Sequence, residues 1–289
     1  MKIGIDLGGT KVEAVGLYAN GNETKRIRKT TPQGLYHETV HTVVQLINEL
    51  EALEGTAESI GICTPGSISP FTGVMQNCNS TCLNGKNLKA DIEQGLKRSI
   101  KMANDADCLT LSEATDGAAA GAATVFGVIL GTGVGAGYVA HNNLITGPNA
   151  LTGEWGHNPL PYQVTTDRNC YCGRINCIEN WISGPGISQS FETETGKHIS
   201  AEEIANMQTP EAQATIDLFI EQLAASLGTV INTLDPEVIV FGGGLSNIKQ
   251  IYQELPKRIT NYIMPNACNT QFVQAKHGCS SGIRGAARL

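Results

Sequence analysis

The chain has 289 residues, of which 41% are hydrophobic and 16% are charged. This length suits two α/β domains that each bury a core, and this composition excludes a disordered chain. The formal net charge of -7 offers no basic surface, so we expect neither nucleic acid nor an anionic membrane as a partner. The chain begins directly with a strand-like run, and no apolar run reaches membrane-spanning length, which predicts a cytoplasmic protein.

Two segments share a pattern of strand, glycine turn and strand. Residues 2 to 7 are apolar and β-prone, and Gly8-Gly9-Thr10-Lys11 separates them from a second such run, Val12 to Tyr18. The pattern returns from Val125 to Ala140, with its glycines at 131 to 137. We interpret the two hairpins as parts of a duplicated domain that face one cleft, with two unrelated hairpins as the alternative.

The segment between the hairpins has helix and strand patterns in turn. A helix is predicted from Glu38 to Leu53, a strand from Ser59 to Cys63, and a short strand ending at Asp105. A helix rich in alanine and leucine should then run from Ala106 to Ala123. We therefore predict an N-terminal α/β domain at residues 1–117 and a C-terminal one at 118–289, whose last helix can pack back on the first domain.

The second half contains a long amphipathic helix and a third glycine loop. Apolar residues recur at intervals of three and four from Ile216 to Leu234, and Asp235-Pro236 should end that helix. A buried strand, Val238 to Phe241, then leads into Gly242-Gly243-Gly244 before a helix that begins near Leu245. This loop is a third candidate nucleotide contact.

The glycine turns are typical of phosphate binding, because glycine lets backbone amides approach phosphate oxygens. No GxxxxGK[ST] string and no protein-kinase catalytic loop is present. The dinucleotide fingerprint also fits poorly, since the glycines at 131 to 137 lead into a strand and not a helix. We predict that ATP is held by Gly8, Gly9, Thr10, Lys11, Gly131, Thr132, Gly133, Gly243 and Gly244, with Asp6 orienting Mg²⁺.

A candidate general base lies where a strand meets a helix. Asn104-Asp105 ends the strand and begins the helix, a position that also suits a simple N-cap. As a base, Asp105 would accept the proton of a sugar hydroxyl that attacks the γ-phosphate. A carboxylate at a helix start should be a weak base, which positioning can compensate.

One histidine and three clustered cysteines have the character of a metal site. His157, Cys170, Cys172 and Cys177 offer an imidazole and three thiolates, which suit a closed, structural tetrahedral Zn²⁺ site. Three free thiols are the alternative. The zinc would fix Glu154 and Glu179, which flank the cluster and could bind sugar hydroxyls.

Together these residues resemble the ROK family of sugar kinases and sugar-responsive repressors, over essentially the whole chain. The resemblance is carried by Asp6-Leu7-Gly8-Gly9-Thr10-Lys11, Pro65-Gly66, Asn104-Asp105, Gly131-Thr132-Gly133-Val134-Gly135, Glu154-x-Gly156-His157 and Cys170-x-Cys172-Gly173-x-x-x-Cys177-x-Glu179. Asn176 departs from the family pattern, which has glycine there. If the turn needs a positive φ, asparagine is the next best residue.

The resemblance implies a two-domain, actin-like ATPase (ribonuclease H-like) α/β fold with ATP and Mg²⁺ in the interdomain cleft, and a homodimer. It implies Asp105 as the base and His157 in contact with both zinc and substrate. The implied sugar-binding residues are Gly66, Asn79, Asn104, Asp105, Glu154, His157 and Glu179.

Residues 66–70, 79–85 and 157–161 are similar to the bacterial fructokinase, or manno(fructo)kinase, branch. This similarity implies the ATP-dependent phosphorylation of D-fructose to fructose 6-phosphate. Glucose, mannose and N-acetylated hexosamines are the alternative sugars. A transcriptional repressor is a different class, disfavoured by the acidic charge and by the direct start at a strand, where repressors add a helix-turn-helix. A non-catalytic sugar-binding protein is disfavoured because Asp105 is present.

Overall fold

The structure is a computed structural model that describes residues 1–264 and 267–289. The strands are β1 (Lys2–Leu7), β2 (Lys11–Leu17), β3 (Ile27–Thr30), β4 (Ser59–Thr64), β5 (Ser67–Ile68), β6 (Met75–Gln76), β7 (Lys101–Asn104), β8 (Thr124–Leu130), β9 (Val134–Ala140), β10 (Asn143–Leu144), β11 (Val238–Gly242) and β12 (Gln271–Gln274). The helices are α1 (Tyr36–Glu54), α2 (Leu88–Leu96), α3 (Asp105–Asp116), α4 (Glu179–Ile182), α5 (Gly184–Thr195), α6 (Ala201–Asn206), α7 (Pro210–Leu234), α8 (Lys249–Arg258) and α9 (Ser281–Ala286).

Two five-stranded mixed sheets repeat one strand order, as the predicted duplication requires. The first has the order β3-β2-β1-β4-β7 and the second β10-β9-β8-β11-β12. In each sheet the hairpin pairs antiparallel, and its first strand pairs parallel with the strand on its other side. Each turn begins with a glycine whose N–H is bonded within the turn, since Gly8 N–H donates to Lys11 O at 3.0 Å and Gly131 N–H to Gly133 O at 3.1 Å.

Two helices cross between the sheets. Helix α3 follows β7 of the first sheet but packs on β8 and β9 of the second, whereas α9 follows β12 and packs on β1 and β4. The two helices also pack on each other. Glycines permit this contact, since a Cβ at Gly61 would lie 1.8 Å from Ala286 O and one at Gly285 would lie 1.7 Å from Cys108 O. The predicted boundary between the N-terminal and C-terminal domains, at residues 117 and 118, stays a prediction.

Each sheet has its own apolar core. Ile3, Ile5 and Ile62 of the first sheet pack with α1 and α2, and Val128 and Phe241 of the second pack with α5, α7 and α8. Within the described residues, α7 is the helix long and apolar enough to span a membrane, and 72% of its most apolar window is buried inside the structure. Burial of this extent is typical of a helix in the core of a globular protein.

Two predicted element bounds differ from the structure, and the first of them has a cause in hydrogen bonding. The helix expected from Ala106 to Ala123 ends at Asp116, because Glu113 turns back to accept hydrogen bonds from Ala118 N–H at 2.8 Å and from Lys276 N–H at 2.9 Å. The helix expected near Leu245 begins as a 3-10 turn, Gly244–Asn247, and α8 starts only at Lys249. Elsewhere the predicted helices and strands agree with the observed ones within a few residues.

Candidate active site

The C-terminal ends of β1 and β7 carry the predicted Mg²⁺ residue and the predicted base. Asp6 lies near the end of β1, and the strands run parallel through β4 to β7, where Asn104 is the last residue. Asn104 is the N-cap of α3, since its Oδ1 accepts a hydrogen bond from Asp107 N–H at 2.7 Å. The N-cap role therefore coexists with the predicted substrate role, which the amide nitrogen of Asn104 can still serve.

Asp105 is the first residue of α3, and its side chain is exposed. Surrounding protein atoms nonetheless displace much of its water, and this desolvation raises the pKa of its carboxyl group. The N–H groups of Ala106, 2.9 Å from Oδ1, and of Asp105 itself act in the opposite direction. The carboxylate is thus a stronger base than a helix start alone would make it.

Asp6 is half-buried and lies within electrostatic range of Asp105. Burial raises its pKa most, followed by Glu13, while Lys11 opposes the increase. Asp6 lies on β1 and Asp105 follows β7, two strands that β4 separates at the same edge of the sheet, and a pair of carboxylates within electrostatic range is a suitable environment for a divalent cation. The donor set therefore fits Mg²⁺.

Two polar side chains donate hydrogen bonds to carbonyl oxygens of the first glycine turn. Thr31 Oγ1 donates to Gly8 O at 2.7 Å, and Gln33 Nε2 donates to Gly9 O at 3.2 Å. Lys11 pairs with Glu13 through an Nζ–Oε2 distance of 2.7 Å. Thr31 and Gln33 were not identified from the sequence, because nothing in their local pattern differs from a surface loop.

The structure brings the second and third glycine turns together. Gly131, Thr132 and Gly244 line one cavity of about 690 Å³, with Pro185 at the start of α5 and residues 247–250 on its other sides. Gly243 has a φ of +81°, and a Cβ there would lie 2.3 Å from Leu130 O. The N-terminus of α5 was not foreseen, although Ser183-Gly184-Pro185 has the capping residue and first-turn proline that predict one.

The predicted sugar-binding carboxylates lie near the base. Glu154 and His157 occupy a 3-10 turn, and Glu179 begins α4. Burial raises the pKa of Glu154, His157 opposes this, and Glu179 and Asp105 add to the increase. These four side chains therefore form one electrostatically coupled group at the cleft.

Gly66 and Asn79 lie on separate loops of the first sheet. A Cβ at Gly66 would lie 2.5 Å from Gln76 O, so glycine is needed there for close approach to β6. Asn79 lines a cavity of about 430 Å³ together with Gly9 and Thr10 of the first glycine turn. Asn79 is thus observed beside the nucleotide candidates, and its predicted contact with the sugar stays a prediction.

Asp107 is a further carboxyl group that the sequence analysis missed. It is half-buried, lines a cavity of about 510 Å³ with Gly66 and Asn104, and its buried Oδ1 has no hydrogen-bond partner within residues 1–264 and 267–289. Desolvation, then Asp105 and Glu154, raise its pKa to about 7. Its position two residues after Asp105, in the same helical turn, was the available signal.

The histidine and three cysteines converge as the metal prediction requires. All four ligand atoms lie within 4.8 Å of one another. His157 Nδ1 is 3.5 Å from Cys170 Sγ, and Cys172 Sγ is 3.6 Å from Cys177 Sγ. Zn–S bonds of about 2.3 Å in a tetrahedron place two sulfurs about 3.8 Å apart, so the residues fit zinc.

In the loop that carries Cys170, Cys172 and Cys177, the backbone conformation agrees with the residue types. Asn176 has a φ of +53° and Gly173 a φ of +87°. The turn therefore does need a positive φ at Asn176, and asparagine is the non-glycine residue that adopts it most readily.

The thiols of the cluster differ in acidity. Burial raises the pKa of Cys177 to about 12, whereas the N–H of Arg174 lowers the pKa of Cys172. Metal loading must then displace a proton from Cys177.

The repeated sheets, the crossing helices and the cleft define an actin-like ATPase fold. A ROK hexokinase from Thermus thermophilus matches with a TM-score of 0.89 at 24% identity, covering 100% of this chain and 97% of that one. A ROK family glucokinase from Streptomyces griseus, in complex with glucose and AMPPNP, matches with a TM-score of 0.79 at 22% identity, covering 99% and 97%.

Sequence comparison gives the family. The family model described as "ROK family" matches residues 2–289. An N-acetyl-D-glucosamine kinase from Pectobacterium atrosepticum is 37% identical over 299 residues, which covers 100% of this chain and 98% of that protein. A protein of the same name from Escherichia fergusonii is 36% identical over 300 residues, covering 100% and 99%. The chain belongs to the ROK family and is a sugar kinase of that family.

Proposed function

We propose that this kinase transfers the γ-phosphate of ATP to the primary hydroxyl of N-acetyl-D-glucosamine, with Asp105 as the general base. The reaction is supported by the position of Asp105, an exposed residue at the start of α3 that lies within electrostatic range of both Asp6 and Glu154. The choice of sugar is supported by relatives of that name that align over the full chain at 36 to 37% identity.

Each group has a distinct part in the proposed reaction. Asp105 holds the sugar hydroxyl and takes its proton as the bond to phosphorus forms, and its raised pKa favours this transfer. Glu154, His157 and Glu179 orient the sugar ring through its other hydroxyls. The glycine turns hold the triphosphate. Asp6 would hold Mg²⁺, whose positive charge would stabilise the negative charge that develops on the phosphate oxygens during transfer.

D-Fructose is the second candidate. Residues 66–70 and 79–85 resemble the fructokinase branch, and both segments adjoin the cleft. Gly66 lines the same cavity as Asn104 and Asp107. Asn79 lines the same cavity as Thr10. The relatives described above give fructose no support. The two sugars differ at C1 and C2, since fructose is a 2-ketose whereas N-acetylglucosamine is an aldose with an acetamido group on C2, so a direct comparison separates them.

The metal and the assembly complete the proposal. His157, Cys170, Cys172 and Cys177 would hold a structural Zn²⁺ that orders the loop between Glu154 and Glu179. With four protein ligands the metal has no open position, so its part is to hold these residues in place. We also propose a cytoplasmic homodimer, on the family resemblance alone.

A coupled ADP-release assay tests the proposal. With ATP and Mg²⁺ held constant, kcat/KM is measured for N-acetylglucosamine, N-acetylmannosamine, glucose, mannose and fructose. We expect N-acetylglucosamine to lead by about tenfold or more, which is about 1.4 kcal/mol of transition-state discrimination. A lead of that size for fructose would overturn the choice of sugar and leave the reaction standing. No turnover of any sugar would overturn the kinase mechanism.

A further inference from the structure

Glu179 contacts the second glycine turn directly. Its Oε2 accepts a hydrogen bond from Val134 N–H at 2.8 Å, where that turn enters β9. A Cβ at Gly133 would lie 2.8 Å from the same oxygen, closer than real Cβ contacts come. The absence of a side chain at Gly133 is therefore what lets the Glu179 carboxylate reach the turn.

The turn that Glu179 holds borders the nucleotide cavity. Gly184 N–H, at the start of α5, donates to Gly131 O at 2.8 Å, and Gly131 and Thr132 line the cavity with Gly244. The turn is thus fixed at one end by Gly184 and at the other by Glu179. Removing either contact would loosen a turn whose backbone amides are predicted to bind phosphate oxygens.

The same carboxylate lies close to the predicted sugar-binding residues. Ile178 N–H donates to Asn158 O at 2.9 Å. This bond holds the start of α4, where Glu179 lies, against the end of the 3-10 turn Glu154–His157. The charge of Glu179 also raises the pKa of Glu154. Since Oε2 is committed to Val134, Oε1 is the atom left for a sugar hydroxyl. This half-buried side chain therefore lies between the predicted sugar and nucleotide sites.

We infer that Glu179 is a positioning residue that couples the sugar and nucleotide sites, by holding the Gly131–Val134 turn in its phosphate-binding shape while contacting the sugar. The inference rests on the proposed nucleotide role of that turn. Binding energies at the two sites are then linked, so that a change at one alters affinity at the other. Glu154 has no such bond to the turn within the described residues and serves as the matched control.

The experiment measures nucleotide binding without sugar. Calorimetry with AMPPNP and Mg²⁺ gives Kd for the wild type, Glu179→Ala, Glu179→Gln and Glu154→Ala. We expect Glu179→Ala to weaken nucleotide binding about tenfold or more, the loss of a hydrogen bond to a charged group. Glu179→Gln should stay within about threefold, because its amide oxygen can still accept from Val134. Both should raise the sugar KM, whereas Glu154→Ala should raise the sugar KM alone.

A reciprocal variant tests the same contact from the other side. Gly133→Ala places a methyl group against Oε2 and should raise the sugar KM about fivefold or more, although Gly133 lies in the nucleotide turn. An unchanged nucleotide Kd in Glu179→Ala would overturn the inference and leave Glu179 as a sugar contact only. Equal loss of nucleotide binding in the alanine and glutamine variants would also overturn it. Failure of the wild type to bind AMPPNP would instead refute the proposed nucleotide site.

Discussion

Replacing Asp107 by asparagine should make the protein more stable at neutral and alkaline pH. The Asp107 carboxyl is half-buried, its Oδ1 lacks a partner within the described residues, and Asp105 and Glu154 repel its charge. These effects raise its pKa from 3.8 to about 7. Below pH 3.8 the carboxyl group is protonated in both the folded and the unfolded state and does not affect stability. As the pH rises from 3.8 towards 7, the unfolded chain ionises more readily than the folded protein, so the group progressively lowers the free energy of unfolding.

The magnitude follows from the size of the shift. A difference of about three pKa units corresponds to about 4 kcal/mol, and solvent screening at a half-buried position reduces this to about 2 kcal/mol. Asparagine keeps the shape and does not titrate. The free energy of unfolding of Asp107→Asn minus that of the wild type should therefore increase by about 2 kcal/mol between pH 4 and pH 8.

Urea unfolding at pH 4, 5, 6, 7 and 8 measures this difference. All other titrating groups are shared by the two proteins, so the shape of the difference curve reports Asp107. Glu38→Gln, which alters an exposed carboxylate in the first turn of α1, is the control and should shift stability by less than about 0.5 kcal/mol at every pH. A difference for Asp107→Asn that does not vary with pH would refute the reasoning.

Three further outcomes are expected. Asp105→Asn should keep the wild-type Tm within a few degrees and lower kcat about 10²- to 10⁴-fold in the ADP-release assay, and wild-type kcat would remove Asp105 from the mechanism. Cys172→Ser should lose bound zinc by elemental analysis and lower Tm, whereas retained metal would contradict the four-ligand site. Gly61→Ala should lower the free energy of unfolding by about 3 kcal/mol in urea, because its Cβ would overlap Ala286 O, and a change below about 0.5 kcal/mol would show that α9 moves away easily.

The parts of the fold that the sequence predicted are those with a local cause. The hairpins around Gly8 and Gly131 are visible as runs of β-prone residues broken by glycine, and α7 has an apolar stripe that ends at Asp235-Pro236. The bound at Asp116 was missed because the helix is ended by Glu113, whose partners include Lys276, far along the chain. A contact of that kind leaves no local pattern.

The candidate site shows the same division. The four metal ligands cluster in sequence, and all four meet in space. Asp107 and Thr31 gain their significance from what surrounds them, namely a cavity in one case and the carbonyl of Gly8 in the other. The sugar was the least predictable feature, because the loops at 66–70 and 79–85 favoured fructose, which the relatives at 36 to 37% identity do not support.

The crossing of α3 and α9 has a mechanical consequence. Each helix follows a strand of one sheet and packs on the other sheet, and the backbones at Gly61 and Gly285 touch their neighbours without intervening side chains. Such an arrangement resists sliding and separation of the two halves, since either motion would break backbone packing. Of the motions open to the two sheets, rotation about the helix pair would disturb this packing least, and we expect a ligand that touches both sheets to favour one angle of that rotation.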